Sequence, residues 1–340
     1  MEDLFPEFTF AVMAYNQEDI IVEYLESVKY QIVNYGSEYR NNIIITDDCS
    51  KDDTSFVIER WISVNEQYFS KVEFVKNPVN KGTAYNLRKI ISFIEEGSSF
   101  KLIAGDDIIA SSNLYEACKK ASEKRIISFY PLYLKRGEVS FGKFKLSNQF
   151  YYLKKIGKKM NHHFNMKAVR KSYFIDAPSA VFAKSLYISS RGDLLTDSFT
   201  LLEDGPLWYG MIKQNKDLEV EFSTDTISIY RYSEASVNRG KNEAHKRFSK
   251  EYKKLHELYM EDTKGFEKRY LKYKGLKHMR SSWLNPAHYF DVFTQVYRLG
   301  LAIFDTDFWR LVFEMRERVD EEQKHYIKIN QSAKEFKQRL

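Results

Sequence analysis

Four short apolar runs in the first 110 residues each break off at a polar cluster, and this recurrence limits the fold more than any other feature of the chain. FTFAVMAYN, NIIITDDCS, KVEFVKNPVNKG and KLIAGDD are too short for helices, rich in β-branched or aromatic residues, and stop at loop-favouring residues. Between them the period changes. Ile20, Ile21, Tyr24, Leu25, Val28 and Ile32 fall at helical spacing before a stop at Gly36. SKDDT opens a second helix running through Val64, with Ser50 and Asp53 spaced as a capping box. NKGTAYNLRKIISFIEE supplies a third helix, a fourth spans about Ser112 to Ser122, and RIISFYPLYL reads as a fifth strand.

Strands alternating with helices need crossover connections, so the spacing predicts a mostly parallel sheet with helices on both faces, an α/β, doubly wound, Rossmann-like arrangement. Such sheets bind ligands beyond the carboxyl ends of their strands. Tyr15-Asn16, Asp47-Asp48, Asn80-Lys81-Gly82 and Asp106-Asp107 all fall there, so clusters scattered over about ninety residues are expected to converge. The alternative for each is a strand terminator or a helix cap.

Asp106 and Asp107 are the sharpest case. Burying an unpaired carboxylate is costly, so two neighbours at a strand end either sit in solvent or share a cation. Mn²⁺ and Mg²⁺ prefer carboxylate oxygen and leave room for phosphate, and a cation there would offset charge on a departing diphosphate.

AVMAYNQEDII, IIITDDCSKDDT, NPVNKG, KLIAGDDII and LLEDGPLWYGMI, taken in order and spacing, resemble family-2 glycosyltransferases with the GT-A fold over about residues 8–240. The resemblance implies an inverting, metal-dependent transfer of a sugar from a nucleoside diphosphate donor, a uridine one by family expectation, to a saccharide or lipid-linked saccharide acceptor. It makes Ala14, Tyr15, Asn16 and Asp48 the parts that hold nucleobase and ribose, with Asp47 beside them or acting as a strand-end cap. Asp106 and Asp107 match the DxD-like motif, one facing the ribose and one the metal, Asp107 being favoured for the metal. Ala104 stands where the motif usually begins, which leaves that assignment open between the two.

By the same resemblance Glu203-Asp204 is the later acidic pair, with Asp204 the general base and Glu203 its support. An acceptor hydroxyl must lose its proton as it attacks, and a nearby carboxylate can take it. The alternative is helpful charge at the start of helix GPLWYGMIK. The resemblance makes Lys81 and Gly82, with Asn86 and Arg88 on the helix that follows, further nucleotide contacts, although the spacing of Arg88 departs by one residue from the common form and a solvated helix face is the alternative for Asn86 and Arg88. DAPSAVF is expected beneath the donor sugar, and YRYSEASVNRGKN is either a loop carrying Arg239 or Lys241 to the diphosphate or a plain basic loop.

Charge is uneven. From Leu132 to Ile175 eleven Lys and Arg meet one acid, Glu138, so this segment carries +10 and the rest of the chain −4 of the net +6. It suits a phosphate-bearing acceptor or an anionic membrane surface, with a solvated lysine face as the alternative. The adjacent His162 and His163 point apart on any regular element and are expected at the surface.

Two distant cysteines, Cys49 and Cys118, are read as free thiols in a reducing compartment. No run approaches the length of a membrane span, and MEDLFPEFTF lacks the features of a signal peptide. The expectation is a cytoplasmic protein, soluble or peripheral at the inner face of the cell membrane. Domains are read as 1–240 catalytic, with a nucleotide-binding half at 1–110 and an acceptor half at 111–240, and 241–340 helical.

Within the helical region Phe248, Tyr252, Leu255 and Tyr259 share one face, and Phe308, Val312, Met315 and Val319 another. Tyr289 to Phe304 is apolar enough to touch a bilayer, yet Asp291 and Arg298 argue against spanning it; packing on the catalytic domain or a homo-oligomer contact is the stronger use. Two other functions compete. A sugar nucleotidylyltransferase would need a glycine-rich phosphate loop that MAYNQED lacks. A non-catalytic adaptor for anionic lipid or nucleic acid leaves the strand-end acids unexplained, and those acids disfavour nucleic acid.

Overall fold

In the computed structural model, which describes residues 5–156, 162–171, 175–232, 243–277 and 284–340, the first apolar run forms β1 (Glu7–Ala14) at the centre of a parallel sheet. It is buried along almost its whole length because helices cover both of its faces. After β1 come α1 (Ile21–Tyr35), β2 (Arg40–Asp47), α2 (Thr54–Asn65), β3 (Lys71–Lys76), α3 (Thr83–Phe93) and β4 (Ser99–Ala104), with sheet order β3-β2-β1-β4. Phe8, Phe10 and Val12 pack with α1 and α2, whereas Ala11 and Ile44 pack with Leu87, Ile90 and Ile91 of α3. The sheet is therefore doubly wound.

The part of the chain beyond β4 is less regular. β5 (Ile108–Ile109), α4 (Leu114–Lys119), β6 (Arg125–Ser128), β7 (Leu132–Lys135), β8 (Glu138–Ser140), α5 (Lys143–Ile156) and α6 (His162–Arg170) come first. β9 (Ala180–Val181), α7 (Lys184–Ser189), α8 (Gly192–Asp197), α9 (Asp204–Gln214), β10 (Glu219–Phe222) and β11 (Ser228–Arg231) complete it. The strands form two small sheets, β10-β6-β9 and β5-β11-β7-β8. Five of the eight pairings among the described residues are parallel, and the three antiparallel ones all lie beyond β4.

Three local expectations are corrected. RIISFYPLYL is two strands in two sheets, because Pro131 has no N–H to continue a ladder and stands between β6 and β7. The fourth helix ends at Lys119, where Ser122 and Arg125 exchange backbone hydrogen bonds of 3.1 and 3.2 Å in a turn into β6. No capping box opens α2: Asp53 stands at the N-cap without a side-chain bond, the Ser50 hydroxyl bonds Asp47, and Asp52 accepts from the Thr54 N–H at 3.1 Å.

The helical C-terminal region consists of α10 (Glu243–Glu261), α11 (Gly265–Lys274), α12 (Pro286–Ile303) and α13 (Thr306–Lys337). These helices share their cores with the sheets. Leu255 and Tyr259 join the cluster of Trp208, Phe308 and Met315 that of Leu132, and Ala333 that of Phe8. Along α13, Glu322 accepts from the Ser111 N–H at 3.0 Å, His325 meets the Ile109 carbonyl at 3.0 Å, and Asn330 donates to Glu23 at 2.6 Å.

Part of the basic segment ties elements together and part is open surface, with Lys135, Arg136, Lys143 and Lys167 exposed. Lys145 pairs with Asp176, Lys154 with Asp305 and Asp307, and Arg170 with Glu267. Lys158 and Lys159 lie outside the described residues. His162 is half-buried and its neighbour His163 exposed.

Candidate active site

The tips of the four parallel strands are tied to one another by continued ladders. Asp48 N–H reaches the Ala14 carbonyl at 2.9 Å, Gly105 N–H that of Met13 at 3.0 Å, and Asn77 N–H that of Asp47 at 2.9 Å. Beyond them opens a cleft of about 1470 Å³. Ala14, Tyr15, Asn16, Asp48, Gly82, Asp106, Asp107, Glu203 and Asp204 line it together. Asp47, Lys81 and Arg88 are not among its lining residues. Arg239 and Lys241 lie outside the described residues.

Each loop is held by specific polar atoms. Asn16 takes the left-handed conformation its short amide tolerates (φ 50°), accepts from the Lys51 N–H at 2.8 Å and gives its own N–H to Ser50 Oγ at 2.9 Å. Tyr15 projects at the lip, 44% exposed. Asp48 is buried, and its carboxylate accepts from Lys81 N–H and Gly82 N–H, both at 2.7 Å, and from Asn77 Nδ2 at 3.0 Å. It thereby fixes the loop before α3. Asp47 is also buried, and it accepts from Ser50 N–H at 3.2 Å and from the hydroxyls of Ser50 and Ser55. Arg88 turns away toward Thr196 at 3.3 Å and Asp197 at 3.7 Å.

Gly82 joins this loop to the far wall. Its φ of +85° and its approach to Thr200, whose carbonyl would lie 2.4 Å from an added Cβ, leave room for no side chain. Ala84 N–H reaches that carbonyl at 3.1 Å, and Thr83 Oγ1 donates to Glu203 Oε2 at 2.6 Å. The first turn of α3 thus sets one member of the later acidic pair.

The pair after β4 has fewer donors. Asp107 is 2% exposed and takes the Arg231 backbone N–H at 2.8 Å on Oδ1, while Arg231 Nε goes to the Asp106 main-chain carbonyl at 2.7 Å and its guanidinium pairs with Glu23. Burial raises the pKa of both carboxyls, and the Asp106 charge adds to the rise at Asp107. Behind them Lys101, buried in β4, donates to the carbonyls of Ala180 at 2.7 Å and Ala177 at 3.2 Å; burial lowers its pKa to about 8. That bond secures the DAPSAVF segment under the cleft.

Two adjacent carboxylates of oxygen-only donors, facing a cleft and lacking their full set of hydrogen bonds, fit a hard divalent cation. Among the described residues no three His, Cys, Asp or Glu cluster to hold a metal by themselves. The protein would supply part of the shell and phosphate oxygens the remainder.

Across the cleft, burial and then the neighbouring Asp204 push Glu203 up to about 7, against the opposing bond from Thr83. Burial also raises Asp204, whose Oδ1 accepts from the Gly205 N–H at 2.6 Å. α10 clamps this loop from outside. Glu251 accepts the backbone N–H groups of Thr200, Leu201 and Leu202 at 3.0, 2.9 and 3.0 Å, and Leu255 packs so close that a Cβ on Gly205 would meet it at 2.5 Å.

Sequence reasoning missed four of these residues. Lys101 left a signal, a lone cation inside an apolar strand. Thr83, Arg231 and Glu251 left none, because each is an ordinary polar residue made useful by a partner 120, 125 or about fifty positions away.

Residues 9–178 match the protein family described as Glycosyl transferase family 2. In fold the chain is similar to S. aureus TarS 1–349, with a TM-score of 0.53 at 13% identity over 96% of this chain and 92% of that one. The crystal structure of the same fragment in complex with UDP-GlcNAc gives equal values. Against a longer S. aureus TarS chain the TM-score is 0.51 at 14% identity, covering 80% of this chain but only 43% of that one. No curated protein sequence matches the chain.

Proposed function

The chain belongs to glycosyl transferase family 2, and from that premise we propose an inverting, metal-dependent glycosyltransferase that moves a sugar from a uridine diphosphate donor to a saccharide or lipid-linked saccharide acceptor. The observation that carries this reading is the placement of two carboxylate pairs, Asp106-Asp107 and Glu203-Asp204, on one cleft at the carboxyl end of the parallel sheet. The assembly of a surface polysaccharide or glycolipid is the matching role.

Each residue has a defined task. Ala14, Tyr15 and Asn16 border the space for the base. Asp48 builds the loop at Lys81 and Gly82 that bounds the nucleotide. Asp106 and Asp107 would hold a hard divalent cation, Mn²⁺ or Mg²⁺, which when bound would supply positive charge to offset a departing diphosphate. Asp204 accepts the proton of the acceptor hydroxyl as its oxygen attacks the anomeric carbon from the side opposite the leaving group. Glu203, fixed by Thr83 and raised toward 7, keeps its own charge partly suppressed beside that base.

Calorimetric titration with UDP, GDP and CDP, each with and without Mn²⁺, tests the reading. The expected result is Mn²⁺-dependent binding, tightest for UDP. Failure of all three to bind would overturn it, leaving the strand-end acids as architecture.

Among the described residues no helix is long and apolar enough to cross a membrane. A cytoplasmic site of action and self-association through the C-terminal helices remain part of the proposal.

A further inference from the structure

The outward side of α12 carries no charge. Its two ionised residues face the protein: Asp291 accepts from the Tyr270 hydroxyl and lies 3.4 Å from Lys274 Nζ, and Arg298 donates to Asn148 at 3.0 Å and stacks on Tyr152. At about 100° per residue, Tyr289, Phe293, Val296, Tyr297, Leu301 and Phe304 share one arc of the helix. They are 45% to 89% exposed. Trp309 and Phe313 continue this surface onto α13. The exposed apolar area is on the order of 1000 Å², above the few hundred usual for a monomer.

Cations border the arc. α11 packs alongside through Phe266 and Tyr270, whose rings meet Phe290 at 5.5 and 5.1 Å. Its solvent side presents Arg269 and Lys272, which form no ion pair among the described residues, and its one acid, Glu267, is engaged by Arg170. Where α6, α11 and α12 meet there is a cavity of about 390 Å³ between Lys167, Lys171, Phe266, Glu267, Tyr270 and Phe290. Lys171 Nζ lies 5.5 Å from the Phe290 ring centre.

We propose that the α11–α12 face docks on an anionic lipid bilayer, its aromatic side chains lying in the headgroup layer and the cavity at Lys167 and Lys171 receiving a lipid phosphate. Aromatic rings favour that layer, and nearby Lys and Arg add attraction to an anionic leaflet. The helix lies on the membrane and does not cross it, since its inner charges are bonded to the protein. A second copy fits less well. An isologous contact brings Arg269 and Lys272 of both copies to one rim, with no unengaged acid of α11 or α12 to meet them. At the far end Arg310 already pairs with Asp307 at 3.3 Å.

Flotation of the full chain with vesicles of phosphatidylcholine, alone or with about a third phosphatidylglycerol, tests the proposal without reference to glycosyl transfer. The wild type is expected to float with the anionic vesicles only, and less at high salt. Phe293→Asp/Phe304→Asp is expected to abolish flotation, and Arg269→Glu/Lys272→Glu to lower the partition coefficient at least about tenfold, both with unchanged melting temperature. Lys167→Gln/Lys171→Gln is expected to weaken anionic binding severalfold. Absence of wild-type flotation would overturn the proposal; if Phe293→Asp/Phe304→Asp then converted a dimer to a monomer in sedimentation, the face would belong to a second copy. Flotation that survives both the Phe293/Phe304 and the Arg269/Lys272 substitutions would overturn it equally, by placing the contact elsewhere.

Discussion

The same dipeptide stands at the end of β2 and just beyond β4, and the two copies of it have opposite surroundings. Asp47 and Asp48 are buried among donors: the Asp48 carboxylate alone accepts two backbone N–H groups and an amide, and Asp47 is closed by two serines. Asp107 is as deeply buried but accepts one backbone N–H, and the charge of Asp106 lies beside it. Burial near donors makes a carboxylate a structural tie, whereas burial without them leaves a group that seeks a cation or a proton. Glu203 and Asp204 belong with the second kind.

This contrast breaks most visibly at Asp204. Asp204→Asn should lower turnover at least about a hundredfold while leaving UDP affinity within a fewfold, as loss of a general base does; turnover near wild type would remove Asp204 from that role. At the other pole, Asp48→Ala should lower unfolding free energy by about 2 to 3 kcal/mol, because it strands the N–H groups of Lys81 and Gly82. A melting temperature unchanged in that variant would place Asp48 among the under-bonded acids instead.

The pH dependence sharpens the division. Glu203 titrates near 7 in the folded chain against an ordinary value of 4.5, so between those values the folded state holds more protons than the unfolded one. Its contribution to stability is therefore most favourable below pH 4.5 and is lost as pH rises through 7, by about 2 kcal/mol after discounting for partial exposure. Glu203→Gln should remove that slope in denaturant melts from pH 4 to 8, and an identical slope in both proteins would contradict the assignment. The smallest effect is expected at Asp107→Ala, about tenfold weaker UDP binding in Mn²⁺ with little change in its absence. Equal affinity with Mn²⁺ would move the metal role to Asp106 or elsewhere.

The sequence made the parallel half legible because its strands, helices and loops alternate locally. Periodicity located β1 to β4 and α1 to α3, and the polar runs at their ends named the loops that meet at the cleft. It could not divide tying acids from free ones. That distinction depends on where the N–H groups of Lys81, Gly82 and Arg231 point, which is a matter of backbone path. The region beyond β4 was less readable because its strands are two to four residues long and change sheets, as Pro131 shows. Nor does a helical wheel of α10 mark Glu251, whose value comes from three N–H groups on a loop some fifty residues earlier.

The contacts of α13 bear on how the chain is made. Asn330 and Glu23 touch across 307 positions, and Ala333 sits in the cluster built on β1 and α1. A ribosome therefore delivers the first β-α units long before their covering helix, and their apolar flank stays open through much of translation. Shortening the chain within α13 should act less like trimming a tail than like halting synthesis before assembly can close, yielding a species that chaperones hold and proteases find.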